Sequence, residues 1–190
     1  MESSENMTVK RVFPGTKAFR DVKKLYHSSF PAGKQLPFSR ITLLSLLRPS
    51  VLLLAYYDET GFCGFSFGVC TEKYLYIGFF AVPEHLRSKG YGTKMIRAMH
   101  EKYGKPLIGE CKQPDPESPD YEIDARRVEF WKRNGLDFFD NKYIVRNNGY
   151  NYIVNCMEHT YDREGYWAIF DHLSFGPGAT LRILKRKLKS

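Results

Sequence analysis

The most constraining feature of this chain is the stretch Tyr74 to Val82, YLYIGFFAV, followed at once by Pro83 and a short basic, glycine-bearing turn. Nine nearly uninterrupted apolar residues are too few for a core helix and fit a strand covered on both faces of a sheet. Pro83 closes that strand, and Gly78 inside it predicts a bulge or a close backbone approach. Ser88 to Tyr103 then carries Met95, Ile96, Met99 and Tyr103 at helical spacing, stopped by Gly104 and Pro106. A two-face-buried strand running through a turn into an amphipathic helix demands layers of helix on both sides of a sheet.

The rest of the chain supplies those layers. Thr8–Phe13 reads as a first strand and Ala18–Phe30 as a helix with Phe19, Val22, Leu25 and Tyr26 on one stripe. A second helix is expected from Ser39, taken as its N-cap, to Leu47. Val51–Tyr57 and Phe62–Cys70 flank Asp58-Glu59-Thr60-Gly61 as a hairpin. Leu107–Lys112 follows as a strand, Glu122–Asn134 as a helix, and Leu136–Arg146 and Tyr150–Met157 as two last strands. Two helical stretches, Asp162–Phe175 and Ala179–Lys189, form a tail. The fold class is therefore α/β (α+β), a mixed and mostly antiparallel sheet flanked by helices with a C-terminal helical extension. The expected division is 1–7 as a disordered start, 8–157 as the folded domain, and 158–190 as an extension packed on the same domain.

Composition narrows the function. Hydrophobic residues make up 43% and charged residues 26% of 190, enough for one sizeable core. No apolar run approaches the roughly 20 residues that cross a bilayer, and the first residues lack the pattern of a secretory signal. The four cysteines, Cys63, Cys70, Cys111 and Cys156, show neither CxxC spacing nor a histidine at ligand spacing, so no metal site is expected. Free thiols fit the cytoplasm. The net charge is +8, but Arg182, Lys185, Arg186, Lys187 and Lys189 crowd the last nine residues. The excess is largely a property of the tail, and it makes no strong case for nucleic acid or membrane. With Leu181, Leu184 and Leu188 on one face, the tail could touch RNA or an anionic membrane, or pack on the sheet or a second subunit of a homodimer.

The turn itself, Arg87-Ser88-Lys89-Gly90-Tyr91-Gly92, sits where a helix begins, and unpaired N–H groups with a favourable dipole make such a place an anion site. A Walker A loop fails because Lys89 precedes Gly90, and a dinucleotide fingerprint fails because its third glycine position is Met95. The pattern Q/R-x-x-G-x-G/A is met by Arg87, Gly90 and Gly92. Together with "FFAVPEHLR" before it and "EFWKRNGL" (Glu129–Leu136) after it, and with the order of elements from Thr8 to Met157, the chain resembles the GNAT superfamily of acyl-CoA N-acyltransferases.

That resemblance implies a chemistry. The pyrophosphate of acetyl-CoA would lie on Arg87, Ser88, Lys89, Gly90, Tyr91, Gly92 and Thr93. The pantetheine arm would pair with the backbone of Phe80, Ala81 and Val82, and a bulge near Gly78 would splay the sheet to admit it. Glu110 in "LIGECK" stands where relatives place a general base, its bland alternative being an exposed strand residue paired with Lys112. Relatives often carry a tyrosine acid where this chain has Trp131, which leaves Tyr143, Tyr152 or solvent to protonate the thiolate. Asp124 replaces an asparagine often found beside the cofactor. The implied function is transfer of an acetyl group to a primary amine, small molecule rather than protein, by direct attack. The rival is a non-catalytic acyl-CoA-binding protein, motivated by Trp131 and Asp124. The loop "CKQPDPESPDYEID", with Asp115, Glu117, Asp120, Glu122 and Asp124, would form an acidic rim favouring a cationic amine. Cys111 is expected to be a core residue rather than an acyl carrier.

Overall fold

The computed structural model describes residues 7–31, 36–138, 144–147, 150–157 and 161–174. Strands β1 (Thr8–Arg11), β2 (Val51–Asp58), β3 (Gly61–Cys70), β4 (Leu75–Ala81), β5 (Leu107–Lys112), β6 (Leu136–Asp137), β7 (Ile144–Asn147) and β8 (Tyr150–Met157) form one sheet. Its order is β1-β2-β3-β4-β5-β8-β6, and β7 also pairs with β8. Every neighbouring pair is antiparallel except β4–β5. Helices α1 (Lys17–Ser29), α2 (Phe38–Leu47), α3 (Tyr91–Tyr103), α4 (Tyr121–Arg133) and α5 (Arg163–Asp171) cover it. None is long and apolar enough to cross a membrane.

The alternation of β2 explains the two layers. Val51, Leu53 and Ala55 pack with Val22, Leu25, Tyr26, Ile41, Leu44, Ile169 and Tyr166, joining α1, α2 and α5 on one face. Leu52, Leu54 and Tyr56 pack with Met95, Ile96 and Met99 of α3 on the other. Successive strand side chains point to opposite faces, so a strand apolar at every position must be covered twice.

Several expectations are corrected in detail. The helix of α2 begins one residue before Ser39, and Pro37 occupies its N-cap position without a side-chain bond. Proline's fixed φ suits a helix start and removes a donor that would have had no partner there. The strand expected from Leu136 to Arg146 is two strands, β6 and β7, which both pair with β8. The run Tyr74–Val82 is buried on both faces only over its first half: Gly78 is exposed and Phe79 and Phe80 are half-buried. The cause is topological. β5 pairs with β4 only from Leu75↔Leu107 to Ile77↔Gly109 and then departs. Residues 1–6 and the tail stretch Ala179–Lys189 lie outside the described residues. Of the Asp162–Phe175 stretch, Arg163–Asp171 is helical, with Asp162 as its cap accepting from the N–H groups of Glu164 and Gly165.

Candidate active site

Beyond Ile77 and Gly109 the two parallel strands part, and the sheet opens into a cleft of about 1040 Å³. That matches the upper range of cofactor-sized pockets, several hundred to about 1,000 Å³. The bulge predicted at Gly78 is present. β3 pairs Phe67 with Phe79 and then Gly68 with Ile77, so Gly78 is the extra residue. A bulge bends its strand and sharpens the twist, which turns Phe79–Ala81 away from β5.

One end of the cleft is the start of α3. Gly90 holds the N-cap position with φ +79°, and a side chain there would meet no atom within 4 Å. Ser88 also has positive φ, at 60°. The first α-helical bond of this end runs from Lys94 N to Gly90 O, 3.1 Å. The N–H groups of Tyr91, Gly92 and Thr93 precede it and, like those of any helix start, have no carbonyl four residues back within the helix. All three residues line the cleft. The Arg87 Nε donates to Val82 O at 3.3 Å and ties the turn to the end of β4. Gly92 has a different duty: a Cβ there would lie 2.9 Å from the Phe130 ring, so this glycine allows α3 and α4 to pack closely.

The cleft's lining includes Phe80, Ala81, Val82, Arg87, Ser88, Gly90, Tyr91, Gly92, Thr93, Glu110 and Tyr152 among the residues singled out from sequence. Lys89 is not part of it. Tyr143 lies outside the described residues. Trp131 lines the cleft and stacks with Phe80 and Phe130, ring centroids 5.6 and 5.1 Å apart. It acts as a wall, in keeping with an indole's inability to deliver a proton.

Glu110 and Lys112 each have a partner on another element. The Glu110 carboxylate accepts a hydrogen bond from the Tyr166 hydroxyl of α5. Burial, with Glu110 and then Tyr76 nearby, holds the Tyr166 phenol far above its usual value of 10.0, so it remains a donor. Lys112 instead reaches the buried Asp124, Nζ to Oδ2 2.6 Å, and Asp124 also takes Arg127 at 2.8 Å. Asp124 is fully buried, and its charge is met by two cations. Asp124, noted from sequence as standing where relatives often carry an asparagine, is thus an ion-paired residue of the interior. Of the acidic loop, Asp120 lines the cleft and lies 3.9 Å from Lys112. Cys111 is buried, and burial pushes its thiol up to about 12, which leaves no thiolate to carry an acyl group.

Two sets of residues escaped the sequence reading, one in the cleft's lining and one beside Glu110. Ile123, Arg127 and Phe130 face the cleft from α4, and their spacing of four and three is a helical stripe that could have been read. Tyr166 is different: 56 residues separate it from Glu110, and no local pattern joins them.

Comparison with known proteins follows this geometry. The pattern of the acetyltransferase (GNAT) family matches residues 19–112, from α1 to the end of β5. No curated protein matches the sequence. Among solved structures, a protein described as an acetyltransferase from the GNAT family, from Bacteroides thetaiotaomicron, aligns with TM-score 0.72 and 17% identity, covering 87% of this chain and 95% of that one. A GNAT family acetyltransferase from Elizabethkingia anophelis with acetyl-CoA bound aligns with TM-score 0.51 and 15% identity, covering 81% and 99%. An aminoglycoside 6'-N-acetyltransferase complexed with coenzyme A aligns with TM-score 0.58 and 12% identity, covering 78% and 95%. At these identities the likeness is one of fold.

Proposed function

We propose that this chain, a GNAT-family acyl-CoA-dependent acetyltransferase by the match over residues 19–112, carries an acetyl group from acetyl-CoA to a small primary amine by direct attack. One observation carries the reading. The cleft opened where β4 and β5 part has the first N–H groups of α3 at one end and the carboxylate of Glu110 along its wall. The residues present fit the co-substrate. Gly90 leaves open space in front of a helix start, Arg87 stands beside it, and the β4 edge at Phe80–Val82 has no β5 partner. The solved relatives that hold acetyl-CoA or coenzyme A share this fold.

Each part then has a task. The amides from Arg87 to Thr93 hold the diphosphate, and the backbone of Phe80, Ala81 and Val82 holds the pantetheine arm as an added strand. Acetyl-CoA supplies an acyl group activated as a thioester. Glu110 takes a proton from the amine nitrogen while the N–C bond forms and the C–S bond breaks. Backbone N–H groups at the Gly78 bulge meet the negative charge that gathers on the carbonyl oxygen. Tyr152, which lines the cleft from β8, or water returns a proton to the departing sulfur. The products are the N-acetylated amine and free coenzyme A, and atoms and charge balance. The exposed carboxylates Asp115, Glu117, Asp120 and Glu122 on the loop before and into α4 favour a cationic amine at the mouth. The non-catalytic reading loses one of its two motives, because Asp124 is neutralised by Lys112 and Arg127.

The test has two stages. Acetyl-CoA and coenzyme A should raise the melting temperature while ATP and NAD do not, since ligand at about 100 times its dissociation constant adds about 2.7 kcal/mol to stability. Thiol release from acetyl-CoA is then followed with tyramine, spermidine, kanamycin and a lysine-bearing peptide. Release with a small amine but not with the peptide is expected. No melting shift with acetyl-CoA would remove the basis of the proposal. With the amine so found, Glu110→Gln should keep the acetyl-CoA shift and lower kcat by about 100-fold or more; unchanged turnover would exclude Glu110 as the base.

A further inference from the structure

The pattern of the family ends at Lys112, yet one side chain that touches the candidate base comes from far beyond it. α5 is the last described helix, and it is fastened to the rest of the molecule at both ends. At its start, Asp162 pairs with Lys73 at 2.7 Å and caps the N–H groups of Glu164 and Gly165. Gly165 is needed there, since a Cβ would fall 2.9 Å from the Tyr74 ring. At its far end, Arg48 donates to Asp171 O at 2.8 Å and to Ser174 O at 2.6 Å, while Ser50 and His172 share a hydrogen bond of 2.9 Å. Between the two anchors Tyr166 is 1% exposed and wedged between the rings of Trp167 and Phe170, centroids 5.2 and 5.3 Å away. Its hydroxyl therefore has little freedom, and it donates to Glu110 Oε1.

We propose that Tyr166 is a positioning residue for Glu110: the anchored phenol fixes one carboxylate oxygen by a hydrogen bond and so orients the carboxylate toward the acceptor amine. A glutamate on a strand edge has three side-chain torsions, and a base must sit within hydrogen-bond reach of the proton it removes. A donor that stays protonated throughout the working pH range restrains those torsions before substrate arrives and takes no proton itself. The consequence is that the catalytic arrangement is completed by the C-terminal extension, and the segment covered by the family's pattern supplies the cofactor groove and the base but not the group that aims it. This inference rests on the reading of Glu110 as the base.

The experiment is a double-mutant cycle on the full chain, with the fastest of tyramine, spermidine, kanamycin and the lysine-bearing peptide as acceptor. Tyr166→Phe keeps the ring and removes only the hydroxyl. It should lower kcat by about tenfold, leave KM for acetyl-CoA unchanged, and leave the acetyl-CoA melting shift intact. In the Glu110→Gln background the same change should cost nothing further, because the function it serves is already gone. Should Tyr166→Phe fail to fold, Asp162→Ala, at an exposed anchor of α5, provides the second variant: it should lower kcat by a few-fold with KM for acetyl-CoA unchanged. Full activity in Tyr166→Phe beside a slow Glu110→Gln overturns this inference and leaves the base assignment standing. So does a loss of equal size in both backgrounds, which marks a structural effect. Normal turnover in Glu110→Gln, or thiol release with none of the four acceptors, overturns the reading beneath it as well.

Discussion

Gly90 and Gly92 look equivalent in the motif, but their neighbourhoods assign them different work. Gly90 is required for its backbone: at φ +79° a residue with a Cβ is strained, although no atom lies within 4 Å to clash. Gly90→Ala should therefore cost about 1–2 kcal/mol of stability, measured by urea unfolding, with acetyl-CoA binding largely kept. Gly90→Glu places a carboxylate in that open space and should abolish the acetyl-CoA melting shift; a shift equal to the wild type's would mean the diphosphate lies elsewhere. Gly92 is required for its size, because Phe130 fills the space a methyl would need. The motif could be read from sequence at both positions, but this division of labour could not. One glycine answers to a torsion angle, the other to a residue 38 positions away in the chain.

At the scale of elements, the β2–β3 hairpin shows how a local signal becomes a fixed register. The turn is legible as Asp-Glu-Thr-Gly, and the bonds at its centre are short-ranged. Asp58 Oδ1 accepts from the Thr60 N–H at 2.8 Å and from the Thr60 hydroxyl at 2.7 Å. Partial burial works to raise the Asp58 carboxyl, but the Thr60 bonds, with Tyr91 and Cys63 adding to them, outweigh it and bring it down to about 2 from the usual 3.8. A carboxyl depressed on folding contributes stability that is complete above its unfolded value and lost as pH falls through its folded one. The hairpin's contribution should thus be full above about pH 4 and fade between about 4 and 2. Comparing urea midpoints of the wild type and Thr60→Ala across that range checks it: the variant should be less stable at neutral pH, with the difference shrinking in acid. A constant difference would place the effect outside Asp58. The β4–β5 pair is the opposite case. Both strands were readable as apolar runs, but the length over which they pair, three residues of each, was not. The Gly78 bulge within β4 marks where that strand turns away, but how many residues of β5 lie beside it before that point is not encoded within either strand.

Across the whole molecule, the cleft depends on contacts that bridge distant elements. Lys112 at the end of β5 and Asp124 in α4 are both buried and form an ion pair at 2.6 Å. Lys112→Ala leaves the buried Asp124 with Arg127 as its one remaining cation in this cluster, so it should destabilise the fold by about 3 kcal/mol, the lower end of the cost of breaking a buried pair. The double change Lys112→Met with Asp124→Leu should recover most of that loss, since a buried pair replaced by apolar residues of similar volume is often neutral. Urea unfolding of the single and double variants decides it; equal losses in both would show that packing, and not the stranded charge, sets the cost. α5 likewise reaches across the sheet, joining α2, β2 and the β3–β4 turn to Glu110 through Arg48, Ser50, Lys73 and Tyr166.

What the sequence determined by itself was everything carried by short-range rules: the apolar alternation of β2, the strand–turn–helix of the anion site, the Gly78 bulge, and the resemblance resting on Arg87, Gly90 and Gly92. These follow from steric preference and periodicity, which act over a few residues. The tertiary structure alone decided over how many residues β4 and β5 pair, that Asp124 is neutralised by Lys112 and Arg127, that Trp131 is a wall against Phe80, and that Tyr166 meets Glu110. Most of those depend on groups brought together from different elements of the fold. Such convergence is set by how the layers pack and not by any local pattern, which is why the turn from Arg87 to Gly92 could be read in advance and the contact of Tyr166 with Glu110 could not.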